Sequence, residues 1–295
     1  MGEQDYELQS IKYTLDPATG VAIAAHNDEK TLHALTLNLT TEAFMVLEHA
    51  ARDPEVKVLI WTATGERSFC SGAALKGAGP LHVPEAAATE YAKRRMMNDL
   101  SDPSDSFWVP LIMAFWDFPK PVVGAINGLG VGGGANIALA NVMDLVICST
   151  NARFMYPFST LGITPEMGSS LMMPYLVGMA KAKEMMMLGA TPKPSALTCP
   201  LTLIVTHTLL GFFCRPSPPP SQLASCDQTL THPCLASSAA ASFLFSSSLV
   251  RAGEWFSGED AVSLGLANEL VAPEELMPRA LEVAVALTEK QQAAL

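Results

Sequence analysis

The sequence predicts an α/β fold in which short buried strands alternate with helices through crossover connections. Three observations carry that prediction. Apolar runs of strand length and helical repeats follow one another along the chain. One strand, residues 122–126, passes through a glycine-rich turn straight into a helix of small residues. Hydrophobic residues make up 49% of the 295 positions and charged ones only 16%, enough to build a sizeable core between layers.

Residues 11–15 and 21–25 read as two strands joined by the turn Asp16-Pro17-Ala18-Thr19-Gly20. Residues 40–51 read as an amphipathic helix, because Phe44, Leu47 and Ala51 recur at helical spacing. Thr40 or Thr41 can cap it and Asp53-Pro54 ends it. Residues 56–62 form a buried strand, followed by a loop over 65–75. Residues 85–98 read as a polar helix and 107–115 as an apolar one. The strand 122–126 turns at Asn127-Gly128, and a helix follows over 135–140. A strand over 145–149 comes next, and 154–158 leads into Thr164-Pro165. That dipeptide is a helix-start signal, with Thr as cap and Pro in the first position, and it puts Glu166 in the first helical turn. Helices over 180–188, 257–265 and 273–287 and a strand over 268–271 complete the pattern.

Composition changes near Thr191. Between Pro192 and Arg251 the charged residues are Lys193, Arg215, Asp227 and Arg251, in a background of Ser, Pro, Leu, Thr and Cys. The chain is therefore read as a core over 1–190, an atypical insertion over 191–255 and a helical part of the core over 256–295. A structureless loop of that length does not suit a compact domain. The Ser/Phe/Leu-rich run at 242–249 is what pyrimidine-rich codons give, so a translated intron or gene-model error is the reading proposed for the insertion, with a genuine mobile insertion as its rival. The apolar run 201–214 is shorter than the roughly 20 residues a spanning helix needs, so no membrane span is expected.

The net charge of -11 argues against a nucleic-acid partner, which would need a basic face. The six cysteines contain no Cys-x-x-Cys pair and suggest neither a metal site nor a disulfide framework, so a reducing compartment is the default. The first ten residues are acidic and polar, unlike a signal or transit peptide, and the C-terminal Ala-Ala-Leu is not a Ser-Lys-Leu type of address. Read alone, these ends give a cytoplasmic location.

Chemistry is concentrated in the glycine-rich stretch Asn127-Gly128-Leu129-Gly130-Val131-Gly132-Gly133-Gly134. Glycines let the backbone approach a ligand closely. The first N–H groups of the helix have no intrahelical acceptor and point outward. Such a place suits an anion, or an oxygen that becomes one during reaction.

Three segments in order resemble the crotonase (enoyl-CoA hydratase/isomerase) superfamily. They are Phe69-Cys70-Ser71-Gly72-Ala73-Ala74-Leu75, the Asn127 to Gly134 run, and Leu161-Gly162-Ile163-Thr164-Pro165-Glu166-Met167-Gly168-Ser169-Ser170. The resemblance implies a spiral of ββα units with C-terminal helices, assembled as a trimer or hexamer, and a peroxisomal or mitochondrial location. The C-terminal helical region is shorter here than is usual in that family. It also implies an acyl-CoA thioester as substrate, with CoA part of the substrate and no metal or redox cofactor. Carried over position by position, the two backbone donors of an oxyanion hole fall on Ala73 and Gly133. Ser71, Gly72, Ala74, Leu75, Gly132 and Phe158 fall around the substrate. The two glutamates of the hydratases are replaced by Asn136 and Phe158, neither of which can act as a carboxylate base. The single glutamate of the 3,2-enoyl-CoA isomerase branch falls on Glu166. The expected activity is therefore a shift of the double bond of a 3-enoyl-CoA to position 2, in β-oxidation of unsaturated fatty acids. A non-catalytic acyl-CoA-binding protein and another crotonase reaction, such as thioester hydrolysis, are the alternatives. Ala74 stands where the family frequently has Asp, and Met167 separates Glu166 from Gly168 where the family pairs Glu with Gly.

Overall fold

In the computed structural model the described residues are 7–74, 109–140, 142–188 and 255–294. All of them belong to one unit, Met1–Thr191 with Arg251–Leu295. The expected helix over 85–98, Leu75 and nearly all of the insertion lie outside the described residues.

Strands β1 (Ile11–Asp16) and β2 (Val21–His26) form the expected antiparallel hairpin. The Asp16 carboxylate closes its turn by accepting from the Ala18 N–H (3.0 Å) and the Thr19 hydroxyl (2.8 Å). From β2 the sheet continues in parallel through β3 (Val58–Ala63), β5 (Val122–Ile126), β7 (Leu145–Ser149) and β10 (Glu269–Val271). A second sheet holds β4 (Ser68–Cys70), β6 (Leu129–Val131), β8 (Arg153–Met155) and β9 (Phe256–Ser257). Each of β3, β5 and β7 is thus followed in the chain by a short strand of the small sheet. This is the ββα repeat that the family resemblance implies.

The helices are α1 (Leu37–Arg52), α2 (Val109–Trp116), α3 (Gly133–Leu139), α4 (Phe158–Leu161), α5 (Ser169–Val177), α6 (Met179–Leu188), α7 (Gly258–Ser263) and α8 (Leu276–Ala294). The large sheet is covered on both faces, so β3 is apolar at nearly every position and buried throughout. Its alternate residues face opposite layers. Val58 and Ile60, with Val123, Ala125 and Ile147, pack against Leu276, Ala280 and Ala284, one stripe of α8 whose small residues let the helix lie close. Leu59 and Trp61 face the other way, with Leu39 and Leu47 of α1 and Leu111 and Phe115 of α2. The indole of Trp61 meets the Phe115 ring edge-on at 4.8 Å.

Two local expectations are corrected. Helix α1 begins three residues before the expected start, because the Thr36 side chain caps it by accepting the Leu39 N–H at 3.2 Å. The Thr40 hydroxyl donates instead to the Thr36 carbonyl at 2.9 Å. The loop expected over 65–75 contains β4, whose pairing with β6 depends on a distant part of the chain.

Candidate active site

The segment after β4 is held by residues 31–35. The Ser71 N–H donates to the Leu32 carbonyl (3.0 Å) and the Ser71 hydroxyl to the Thr31 carbonyl (3.1 Å). Leu35 N–H donates to Gly72 O (2.8 Å), and Ala74 N–H donates to Leu35 O (3.4 Å). Together these last two bonds make a parallel bridge between Leu35 and Ala73. In such a bridge the N–H and C=O of Ala73 itself point away from Leu35. Ser71 and Ala74 spend their groups on this framework. Leu75 lies outside the described residues.

Opposite this loop, β6 runs into α3. Gly132 has φ +53 and donates its N–H to the Met155 carbonyl at 2.9 Å. The first intrahelical bond is from the Asn136 N–H to the Gly132 carbonyl at 3.0 Å, so the N–H of Gly133 precedes the helical ladder. Gly72 has φ +82, and a Cβ built on it would run into the Val131 carbonyl oxygen and lie 3.6 Å from the Gly133 nitrogen. Only glycine at 72 lets the two loops approach in this way. The structure therefore brings Gly72, the residue before Ala73, beside Gly133.

Glu166 joins them from a third element. A Cβ on Gly133 would lie 3.9 Å from Glu166 Oε1, 2.7 Å from Met167 Sδ and 3.0 Å from Leu35 Cδ1. The carboxylate thus lies beside Gly133, with Met167 and Leu35 as apolar neighbours. Phe158 is buried, stacks on Tyr156 at 6.1 Å, and has its Cε1 4.0 Å from the Cβ position of Gly132. Around this turn Met167 and Met173 are buried and Leu161 is 50% exposed. Two surface hollows, of about 310 Å³ between α1 and α2 and about 370 Å³ beside Trp116, contain none of Ala73, Gly133 and Glu166 in their linings.

The helix-start reading of Thr164-Pro165 is corrected. The short helix α4 is closed by Gly162 at φ +70, and α5 does not begin until Ser169. Met167 (φ +54) and Gly168 (φ +79) both lie in the left-handed region and keep the intervening segment out of the helix. Glu166 therefore sits on a turn before α5. Its backbone carbonyl accepts three hydrogen bonds, from Asn136 Nδ2 (2.9 Å), Ser169 N–H (3.0 Å) and the Ser169 hydroxyl (2.7 Å). Asn136 and Ser169 are both fully buried. Asn136 thus anchors the turn that carries Glu166. Sequence reasoning missed this role; the signal available was an amide inside a helix of otherwise small and apolar residues.

Cys70 and Cys148 are buried, and burial pushes both thiols up to about 12. Cys70, although two residues from Gly72, is a core thiol and no nucleophile. Among the described residues no cluster of three or more His, Cys, Asp or Glu could hold a metal ion. Among them, too, no helix is long and apolar enough to cross a membrane.

Comparison with known proteins matches residues 17–197 to the sequence model of the Enoyl-CoA hydratase/isomerase family. A carnitinyl-CoA dehydratase of Proteus mirabilis is 37% identical over 164 residues, covering 55% of this chain and 52% of that protein. A 1,2-epoxyphenylacetyl-CoA isomerase of Escherichia coli is 30% identical over 170 residues, covering 58% and 60%. The chain thus spans between about half and three fifths of the length of these relatives. Among solved structures, an enoyl-CoA hydratase of Bacillus anthracis superposes with a TM-score of 0.59 at 22% identity, over 95% of this chain and 76% of that one, a likeness of fold.

Proposed function

The chain belongs to the enoyl-CoA hydratase/isomerase family, and within it we propose that it shifts the double bond of a 3-enoyl-CoA thioester to give the 2-trans-enoyl-CoA. The observation that carries this reading is the Glu166 carboxylate beside the paired loops. Glu166 Oε1 lies 3.9 Å from the Cβ position of Gly133, while the two other acid positions of the family hold Asn136 and Phe158. Hydration needs an acid and a base acting together on water; a 1,3-proton shift needs one group that takes and returns a proton. Glu166 removes a proton from C2. Negative charge gathers on the thioester oxygen, where the N–H groups of Ala73 and Gly133 receive it. The same carboxylic acid delivers the proton to C4, and the double bond is left between C2 and C3. Each such backbone donor is typically worth about 3–4 kcal/mol of transition-state stabilisation.

As written, this proton shift asks for no metal or redox cofactor; CoA enters and leaves with the substrate. Residues 1–190 and 256–295 form the catalytic unit in this proposal, with 191–255 inserted between them. The exposed apolar side chains Leu171, Tyr175, Met179 and Met187 on α5 and α6 support assembly as a homotrimer or hexamer. A location in peroxisome or mitochondrion follows from the family and belongs to the same proposal.

The test offers the protein both a 3-enoyl-CoA and a 2-enoyl-CoA. The proposal expects conjugation of the first, seen as growth of the enoyl-thioester absorbance, and no hydration of the second. Hydration of the 2-enoyl-CoA at a comparable rate would assign the opposite branch. Binding of both with turnover of neither would leave an acyl-CoA-binding protein.

A further inference from the structure

We infer that His33 is a positioning residue for the oxyanion hole, holding the backbone kink on which the Ala73 loop is built. The inference rests on the proposed role of Ala73 and Gly133. Leu32 and His33 are consecutive, are not glycines, and both have φ +57. That conformation is disfavoured for side-chain-bearing residues and persists where the surroundings impose it. Here the His33 side chain does so. Its Nδ1 accepts the Asp28 N–H at 3.0 Å, its Nε2 meets the Thr64 carbonyl at 3.1 Å, and its own N–H donates to the Asp28 carbonyl at 2.8 Å. The partners fix the neutral tautomer, because a backbone N–H can only donate and a carbonyl can only accept. The residue is 1% exposed.

The kink turns four backbone groups toward the active-site loop. The Leu32 carbonyl accepts from Ser71 N–H and from the Ser68 hydroxyl (both 3.0 Å), the Thr31 carbonyl from the Ser71 hydroxyl, and Leu35 brackets Ala73 through Gly72 and Ala74. The Leu35 side chain also lies against Gly133, 3.0 Å from its Cβ position. One segment, pinned by one imidazole, therefore touches both donor loops. A histidine that merely filled the core would not need to stand between the end of β3 and the turn at Asp28.

The experiment uses the full chain and a saturated acyl-CoA carrying a ¹³C-labelled thioester carbonyl, read by infrared difference spectroscopy, with kcat and KM on a 3-enoyl-CoA measured beside it. In the parent, two N–H donors lower the carbonyl stretch of the bound thioester. His33→Leu removes both ring bonds; it should lose at least half of that shift and about tenfold or more in kcat, with KM changed far less. His33→Asn tolerates the left-handed backbone and keeps a donor and an acceptor, and it should recover most of both. If His33→Leu does not fold, the comparison is made with His33→Gly, which adopts the kink without strain and lacks the ring. A folded Leu or Gly variant with the parent's carbonyl shift and kcat overturns the inference. A parent that binds the thioester with an unshifted carbonyl overturns the oxyanion hole itself, a failure distinguishable from that of His33 alone.

Discussion

Replacing Gly72 by alanine perturbs the place where the two loops proposed to carry the oxyanion-hole donors meet. Two costs are separable. The first is backbone strain: φ is +82, and an L-residue held in the left-handed region costs about 1–2 kcal/mol. The second is steric. The new methyl would overlap the Val131 carbonyl oxygen, which is backbone and cannot rotate away, with the Gly133 nitrogen behind it at 3.6 Å. Relief requires the Ala73 loop and β6 to separate, and a displacement of roughly 1 Å costs on the order of 10²-fold in rate. Loss of a whole donor costs about 10²–10³-fold. Gly72→Ala is therefore expected to lower kcat on a 3-enoyl-CoA by about 10²–10³-fold. Gly265→Ala is the matched control, with φ +72, nothing within 4 Å of its Cβ position and a place at the end of α7. It carries the strain without the overlap, so its melting temperature should fall by about 2–8 °C while kcat stays that of the parent. Both are assayed well below their melting temperatures. A Gly72→Ala protein that loses stability but keeps kcat within about threefold would refute the placement of the donors on these two loops.

Two further outcomes are expected. Asn136→Leu keeps the branched skeleton of Asn, though it is bulkier, and removes one of three donors to the Glu166 carbonyl, so kcat should fall about ten- to a hundredfold with little change in KM; a larger effect on KM than on kcat would point to substrate contact instead. His26 is fully buried, and burial lowers it to about 4, helped by the nearby His33 ring and opposed by the bond to the Phe69 carbonyl. Its Nε2 accepts the Trp61 indole N–H at 2.9 Å, so the neutral form is the one that fits. Since its folded value lies below the unfolded one of about 6.5, the unfolded chain binds the proton first. Roughly 3 kcal/mol present above pH 6.5 is lost as pH falls toward 4. Denaturant unfolding at pH 7 and 4.5 should show a loss that His26→Gln reduces; an identical loss in that variant would dismiss His26 as its source.

The larger sheet is legible in the sequence because buried parallel strands are uninterrupted apolar runs. Residues 122–126 and 145–149 coincide with β5 and β7. The smaller sheet is not legible in the same way. Its strands are two or three residues long; Ser68–Cys70 becomes a strand by pairing with Leu129–Val131, which in turn pairs with Arg153–Met155. The approach of the loops at Gly72 and Gly133 could be anticipated from glycines visible in the sequence. The turn carrying Glu166 could not, since Thr164-Pro165 is a sound local helix start that two left-handed residues, Met167 and Gly168, override. The anchoring by Asn136 and Ser169, and the clamp at His33, join residues 30 or more positions apart in two of their bonds and exist only once the chain is folded.

The most direct test of a single base working against a backbone oxyanion hole is the rate of 3-enoyl-CoA isomerisation by Glu166→Gln beside the parent, with acyl-CoA affinity measured on both. The amide keeps the shape of the side chain and cannot take a proton. The account predicts unchanged affinity and a loss of turnover of at least about 10³-fold. A Gln variant that isomerises at the parent's rate would contradict it, because the proton would then have to travel through another group.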